Sequence, residues 1–327
     1  MIVPFEKCHI REAGELLWEA YQAERAKVPV LPDRGDAGFF GRMASELAGN
    51  GLGVAAVEEG GLQGFLTGMA VGELFGTSRG IYIPIYGHGA KGRDRQSMYH
   101  LMYAAASDIW ARKGHLSHVI TMYAHDEQAV NAWFWQDFGL RCVDAVRPLD
   151  DIPAGGKEMR DILRIKPEDA GGLLDLHREH WRYYKSAPMF MHVQEDCTLE
   201  KLRAWLEEEG QYIWAAFENG APVAYMMLRH GGETFASDDE GSMNICGAYV
   251  KSGLRRSGCG AAILQAIVGW LRENGFARLG VDYESFNIYG SRFWQKHFTA
   301  FTYSLTRRLD ERAASPIWPH REMPSGQ

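Results

Sequence analysis

Two periods of hydrophobicity alternate along this chain. Short runs of β-branched and aromatic residues, or apolar residues at every second position, predict strands over 2–5, 53–58, 62–71, 82–86, 119–123 and 139–146. Between them Leu16, Leu17 and Tyr21 share one side of a helix over 11–27. Helical patterns recur over 39–47, 96–113 and 128–137. Punctuation agrees with the periods: Gly60-Gly61 reads as a hairpin turn and Gly114 as a helix stop.

The second half repeats that order. It predicts strands over 162–165, 212–218, 223–228, 243–250, 279–283 and 301–305, and helices over 168–184, 198–209 and 289–297. A further helix, with Ile263, Ile267, Trp270 and Leu271 on one face, ends at Asn274-Gly275. Asn219-Gly220 is a two-residue hairpin signal. Short matches stand in the same order in both halves. Phe134-Trp135-Gln136-Asp137-Phe138 faces Phe293-Trp294-Gln295-Lys296-His297-Phe298, and Arg147-Pro148-Leu149-Asp150 faces Arg307-Arg308-Leu309-Asp310. The expectation is an internal duplication: a first domain over 1–150, a Pro- and Gly-bearing linker over 151–160, a second domain over 161–312, and a tail over 313–327.

Bulk properties narrow the function classes. A chain of 327 residues fits about two domains. Net charge is −7, which argues against a broad nucleic-acid surface, so any phosphate must be held by a local feature. The five cysteines are scattered without a C-x-x-C pair, as in a reduced cytoplasmic protein. There is no apolar run of membrane-spanning length and no signal-peptide pattern, so no membrane partner is expected. Twelve histidines show no H-E-x-x-H spacing. His177 and His180 lie three apart on one helix, yet no metal is expected.

One stretch carries candidate chemistry. The run 243–250 meets a loop rich in Gly and Arg, and the loop opens a helix. The start of a helix presents unpaired N–H groups at the positive end of its dipole, which suits an anion. Gly258 and Gly260 put no Cβ between those groups and a ligand, while Arg255 and Arg256 add charge suited to phosphate. It is not a Walker loop, since no G-K-[ST] closes it, and a third glycine for a dinucleotide fingerprint is missing.

Arg255-x-x-Gly258-x-Gly260, in its strand–loop–helix setting and followed by the strand 277–284 and by Asn287, resembles the pyrophosphate loop of the GNAT superfamily of acyl-CoA-dependent N-acetyltransferases. The resemblance covers residues 160–310. It implies an α/β (α+β) fold of tandem GNAT-like domains, each a mixed, mostly antiparallel central sheet flanked by helices. It implies acetyl-CoA as co-substrate, with the pyrophosphate at Arg255, Arg256, Ser257, Gly258, Cys259, Gly260 and Ala261. It also places the thioester and pantetheine arm along the backbone of Ala248, Tyr249 and Val250, with Asn287 as helix cap and coenzyme A contact. Aligning Gly114 with Gly275 sets Ser97-Met98-Tyr99 opposite Gly258-Cys259-Gly260, so the first half is expected to be a degenerate copy.

The implied reaction is direct attack by a primary amine on acetyl-CoA. The acceptor is a small molecule or a peptide, and the chain acts as a monomer or a homodimer. Glu284, at the end of its strand, is a candidate base, with Asp282 two residues earlier on the same face. The family's thiolate acid is a Tyr seven residues after the Asn, and here that position is Trp294, which reads as core or as a wall for the pantetheine arm. Tyr289 and Tyr303 are substitute acids, as is Tyr283. The stretch 181–192 is aromatic and Met-rich; the resemblance implies a cover for the acceptor site, with plain core packing as the alternative reading. The missing Tyr also suits a non-catalytic acyl-CoA-binding or sensing protein, and a tandem acyltransferase of the mycothiol synthase kind is a third reading.

Overall fold

The structure is a computed structural model that describes residues 1–152, 161–192 and 197–315. The expected linker over 151–160 and tail over 313–327 therefore fall largely outside the described residues. In chain order the first elements are β1 (Ile2–Pro4), α1 (Ile10–Lys27), α2 (Ala37–Ser45), β2 (Val54–Glu58), β3 (Gly61–Leu66), β4 (Met69–Val71), β5 (Gly80–Ile83) and β6 (His88–Ala90). Then come α3 (Arg95–Arg112), β7 (Ser117–Tyr123), α4 (Glu127–Phe134), β8 (Gly139–Pro148), β9 (Asp161–Ile165), α5 (Leu174–Lys185) and α6 (Leu199–Glu207). The chain continues with β10 (Gln211–Glu218), β11 (Ala221–His230), β12 (Ser242–Val250), α7 (Cys259–Glu273), β13 (Arg278–Glu284), α8 (Ile288–His297) and β14 (Thr299–Arg308).

Local chemistry accounts for most boundaries. Asp36, Asp94, Asp126, Thr198 and Asn287 each accept a backbone N–H two or three residues into the helix they cap. Asn219 and Gly220 both take positive φ, 52° and 75°, as a type I′ hairpin between β10 and β11 requires. The run expected as one strand over 62–71 breaks after Leu66 into β3 and β4, which join different sheets. Gly68 permits the break, because a Cβ there would lie 2.6 Å from the Tyr82 carbonyl oxygen. β6 falls inside the glycine-rich stretch 87–95 and pairs with β3.

Contacts divide the chain into two compact units. Of the described residues, the first holds Met1–Pro29, Asp33–Val143 and those from Phe301 on; the second holds Val30–Pro32 and those between Asp144 and Ala300. The expected domains met near residue 150, whereas here β14 completes the first unit and residues 144–152 belong to the second.

In the first unit β1-β2-β3-β6 form an antiparallel sheet, and β4-β5-β7-β14 a mixed one. Only β5 and β7 run parallel, with α3 crossing between them, while β14 pairs antiparallel with β7 from Thr302 to Arg308. The core is aromatic: Tyr99, Tyr103, Trp110, Trp133 and Phe138 pack together, and the Trp110 indole donates to the Leu52 carbonyl at 2.7 Å. Trp135, matched in sequence to Trp294, is 72% exposed, and Trp133 takes the buried place instead.

The second unit carries the sheet β8-β13-β12-β11-β10-β9. β9 to β12 pair antiparallel, β12 and β13 run parallel, and α7 makes the crossover. Alternation along the strands separates the faces. Ile213, Ala215, Tyr225 and Met227 pack with α5 and α6 residues such as Leu176, Leu202 and Leu206. Trp214 meets Trp270 of α7, and Met226 lies against Gly260. Both units thus have the mixed, mostly antiparallel sheet with flanking helices that the sequence predicted.

Candidate functional site

The site starts where two strands part. Leu228 faces Ile245 and Met227 faces Gly247, so Cys246 is an extra residue, a bulge on β12. The parallel ladder to β13 ends at Ile245–Val281, yet β12 keeps its pairing to β11 as far as Val250. Beyond the bulge, then, β12 has a free side. The backbone groups of Ala248, Tyr249 and Val250 that a continued ladder would tie to β13 are left out of it. Cys246 itself donates to the Met227 carbonyl at 3.7 Å, and burial pushes its thiol up to about 12, far from a neutral-pH nucleophile.

From Val250 the chain passes a tight turn at Ser252–Leu254 and reaches the loop. Arg256 (φ 68°) and Gly258 (φ 93°) both sit in the left-handed region. For Arg256 that costs roughly 1 kcal/mol, while Gly258 takes it without a Cβ penalty. Alternation of this kind curls successive N–H groups toward one concave side, a backbone nest for anions. Ala262 is the first residue of α7 to bond back along the helix, to Gly258 at 3.0 Å, so the N–H groups of Cys259, Gly260 and Ala261 have no partner one turn earlier. The Cys259 side chain is buried, its sulfur 3.1 Å from the Ser257 hydroxyl. Gly260 has a packing reason as well as the one read from sequence: a Cβ there would lie 3.3 Å from the Phe293 ring of α8. The equivalent helix start in the first unit is built differently. Asp94 caps α3 through the Ser97 N–H, so a carboxylate already stands where an anion would bind.

Arg255 does not reach along the loop. Its guanidinium stands over three rings from three elements: Tyr289 of α8 at 4.5 Å, Tyr183 of α5 at 4.8 Å and Tyr249 of β12 at 5.9 Å from the centroids. Tyr183 is held by its hydroxyl, which donates to Asn287 Oδ1 at 2.8 Å; the same oxygen accepts the Gly290 N–H. Asn287 is thus a cap that also ties α8 to α5.

Behind Tyr249 lies a buried relay that the sequence did not reveal. The Tyr225 hydroxyl is 2.7 Å from His177 Nδ1 and 2.6 Å from His180 Nδ1, and the Trp181 indole donates to His177 Nε2 at 2.9 Å. An indole N–H only donates. His177 must therefore accept at Nε2 and carry its proton on Nδ1, which donates to Tyr225. Tyr225 then donates to His180 Nδ1, and His180 keeps its proton on Nε2. Burial holds both rings neutral, His177 down to about 4 and His180 down to about 3, and pushes the Tyr225 phenol well up. His180 stacks on Tyr249, with centroids 5.2 Å apart. The i, i+3 spacing of the histidines was visible in sequence; the Tyr225 bridge, arriving from β11, was not.

On β13, Asp282 is exposed to solvent, yet neighbouring groups pack around its carboxyl. Burial, then the charge of Glu233, pushes its carboxyl up to about 6 against the pull of Arg229. Glu284 lies two residues on, half-buried, on the same strand face. Tyr283 points the other way and is buried.

The other candidates separate. Tyr289 sits at the rim, 55% exposed, in contact with Arg255. Tyr303 lies on β14 and packs against the core of the first unit, so it is no part of the second unit's site. Trp294 is 6% exposed and wedged edge-on between Phe293 and Phe298, which makes it core. Trp294→Ala is expected to cost about 3–5 kcal/mol, read as a lower midpoint in thermal or denaturant unfolding. Among the described residues no cluster of three His, Cys, Asp or Glu is placed to hold a metal, and no helix is long and apolar enough to cross a membrane.

Comparison with known proteins follows the same outline. Residues 173–298 match the Acetyltransferase (GNAT) family. A GCN5-related N-acetyltransferase from Sphaerobacter thermophilus aligns over 94% of this chain and 95% of its own, with 13% identity and a TM-score of 0.55, which shows a shared fold. A GCN5-related N-acetyltransferase from Kribbella flavida aligns over 96% of this chain and 72% of its own, with 12% identity and a TM-score of 0.40. An aminoglycoside acetyltransferase from an uncultured soil metagenomic sample aligns over 42% of this chain and 86% of its own, at 18% identity and a TM-score of 0.35. No curated protein sequence matches the chain.

Proposed function

We propose, from the match of residues 173–298 to the Acetyltransferase (GNAT) family, that the second unit is an acyltransferase that moves acetyl from acetyl-CoA to a primary amine by direct attack. The observation that carries this reading is the parting of β12 from β13 beyond the Cys246 bulge, followed by a left-handed loop and a helix start without a side-chain cap. The pyrophosphate lies at the nest of Arg256 to Ala261, where backbone N–H groups and the α7 dipole favour negative charge. The pantetheine arm runs along the free side of Ala248, Tyr249 and Val250. A backbone N–H there meets the thioester oxygen as charge develops on it.

The amine must lose a proton as it attacks. Asp282 takes that proton, since a carboxylate raised to about 6 is a better base than an ordinary one and is still ionised at neutral pH. Glu284, first among the sequence candidates, stands behind it on the same face. The departing thiolate needs no dedicated acid in this scheme, which agrees with a buried Trp294 at the family's Tyr position. The first unit serves as scaffold, its helix start closed by Asp94.

Calorimetric titration of the purified chain with acetyl-CoA tests the scheme at its root. One site per chain is expected. Two sites would restore the first unit as an enzyme, and absence of binding at millimolar ligand would end the acetyl-CoA reading.

A further inference from the structure

The place now held by the Arg255 guanidinium is a site in its own right. Tyr183, Tyr249 and Tyr289 come from a helix, a strand and a second helix, and their faces converge on one cation. Two of the rings are fixed from behind: Tyr183 by its bond to Asn287, and Tyr249 by the stacked His180. The third, Tyr289, is half open to solvent, so the cage has a mouth. Arg255 itself belongs to the loop proposed for the pyrophosphate. A diphosphate offers it charge-assisted, bidentate hydrogen bonds, a stronger partner than three neutral ring faces and the Tyr249 hydroxyl. We propose that bound coenzyme A draws Arg255 to its phosphates and so vacates the cage beside the thioester strand.

We propose that this tyrosine cage is the subsite for a second, non-reacting cation of the acceptor, which makes the acceptor a diamine, a polyamine or another molecule with two cationic groups. The inference rests on the reading of the second unit as an N-acetyltransferase. The reasoning turns on what ring faces do to an amine. They favour the ammonium form, whereas the attacking nitrogen has to be neutral. The caged nitrogen is therefore not the one acetylated. A monoamine whose only nitrogen enters the cage is held in an unreactive form. An acceptor with two nitrogens places one in the cage and presents the other to Asp282.

Tetramethylammonium, a cation that cannot be acetylated, probes the cage directly. It is expected to bind the Arg255→Ala protein, and to bind the wild type only when coenzyme A is present. In the Arg255→Ala background, Tyr289→Leu should weaken it about fivefold to tenfold and Tyr289→Phe should keep it. Because Tyr289 is exposed, its replacement does not endanger the fold. In turnover, α,ω-diaminoalkanes should exceed matched monoamines at least about tenfold in kcat/KM, and tetramethylammonium should compete with the diamine. Tetramethylammonium binding indifferent to Tyr289→Leu, or equal kcat/KM for diamines and monoamines, would overturn the proposal. Turnover of neither amine, with the cation still bound in the cage, would instead sink the transferase reading.

Discussion

Replacing Gly258 by Asp is expected to weaken acetyl-CoA binding about a hundredfold, ~3 kcal/mol. Two separate effects add. At φ 93° an L side chain is strained by roughly 1–2 kcal/mol, and relief of that strain moves the N–H groups that line the nest. The new carboxylate then occupies the anion position at the α7 N-terminus and repels the diphosphate. Gly258→Ala isolates the first effect and should fall between the variant and the wild type. Asp94 is the natural precedent for the second, since it closes the start of α3 in just this manner. Calorimetry reads the affinity, and unchanged binding in Gly258→Asp would remove the pyrophosphate from this loop.

Asp282→Asn should lower kcat by about two to three orders of magnitude, the usual weight of a positioned base. In the wild type, activity should rise with pH through about 6, because below that the carboxyl holds its proton and cannot accept another. The variant should lose that limb of the pH profile. Stability carries the opposite sign. A carboxyl whose folded pKa is raised favours folding when protonated, so its contribution is most favourable below the ordinary carboxylate value and is lost as pH rises through about 6. At neutral pH the Asn variant escapes that cost and should melt slightly higher than the wild type. A gain in stability joined to a loss in rate marks a functional carboxylate and not a structural one. If Glu284→Gln, and not Asp282→Asn, abolishes the limb, the base is Glu284.

Legibility followed the range of the interactions. Most element types, the β10–β11 hairpin, the stops after α3 and α7, and the Asn287 cap could be read because a few neighbouring residues decide them. The loop was readable for the same reason: its glycines and arginines are consecutive. Arrangements made by residues far apart were not. Tyr225 and His177 are separated by 48 positions, and Tyr183 and Asn287 by 104. Periodicity assigns such side chains to a buried face without naming their partners. Trp135 and Trp294 show the limit of local matching: similar short runs, one tryptophan exposed and the other in the core. Tyr303 shows it for chain tracing, since proximity in sequence to β13 suggested a shared site, whereas its strand serves the other unit.

That strand also bears on how the protein comes into being at the ribosome. Residues 33–143 emerge early, but the first unit is not complete until β14 pairs with β7, and β14 begins at Thr299. At roughly 5–20 residues per second, synthesis leaves the β7 edge waiting on the order of ten to thirty seconds. During that interval seven consecutive residues, Ser117 to Tyr123, lack the partner they finally take. A chain cut near residue 150 would keep that edge open for good. The nascent N-terminal portion therefore passes through a stage with an unpaired strand edge, and β14 is the strand that closes it.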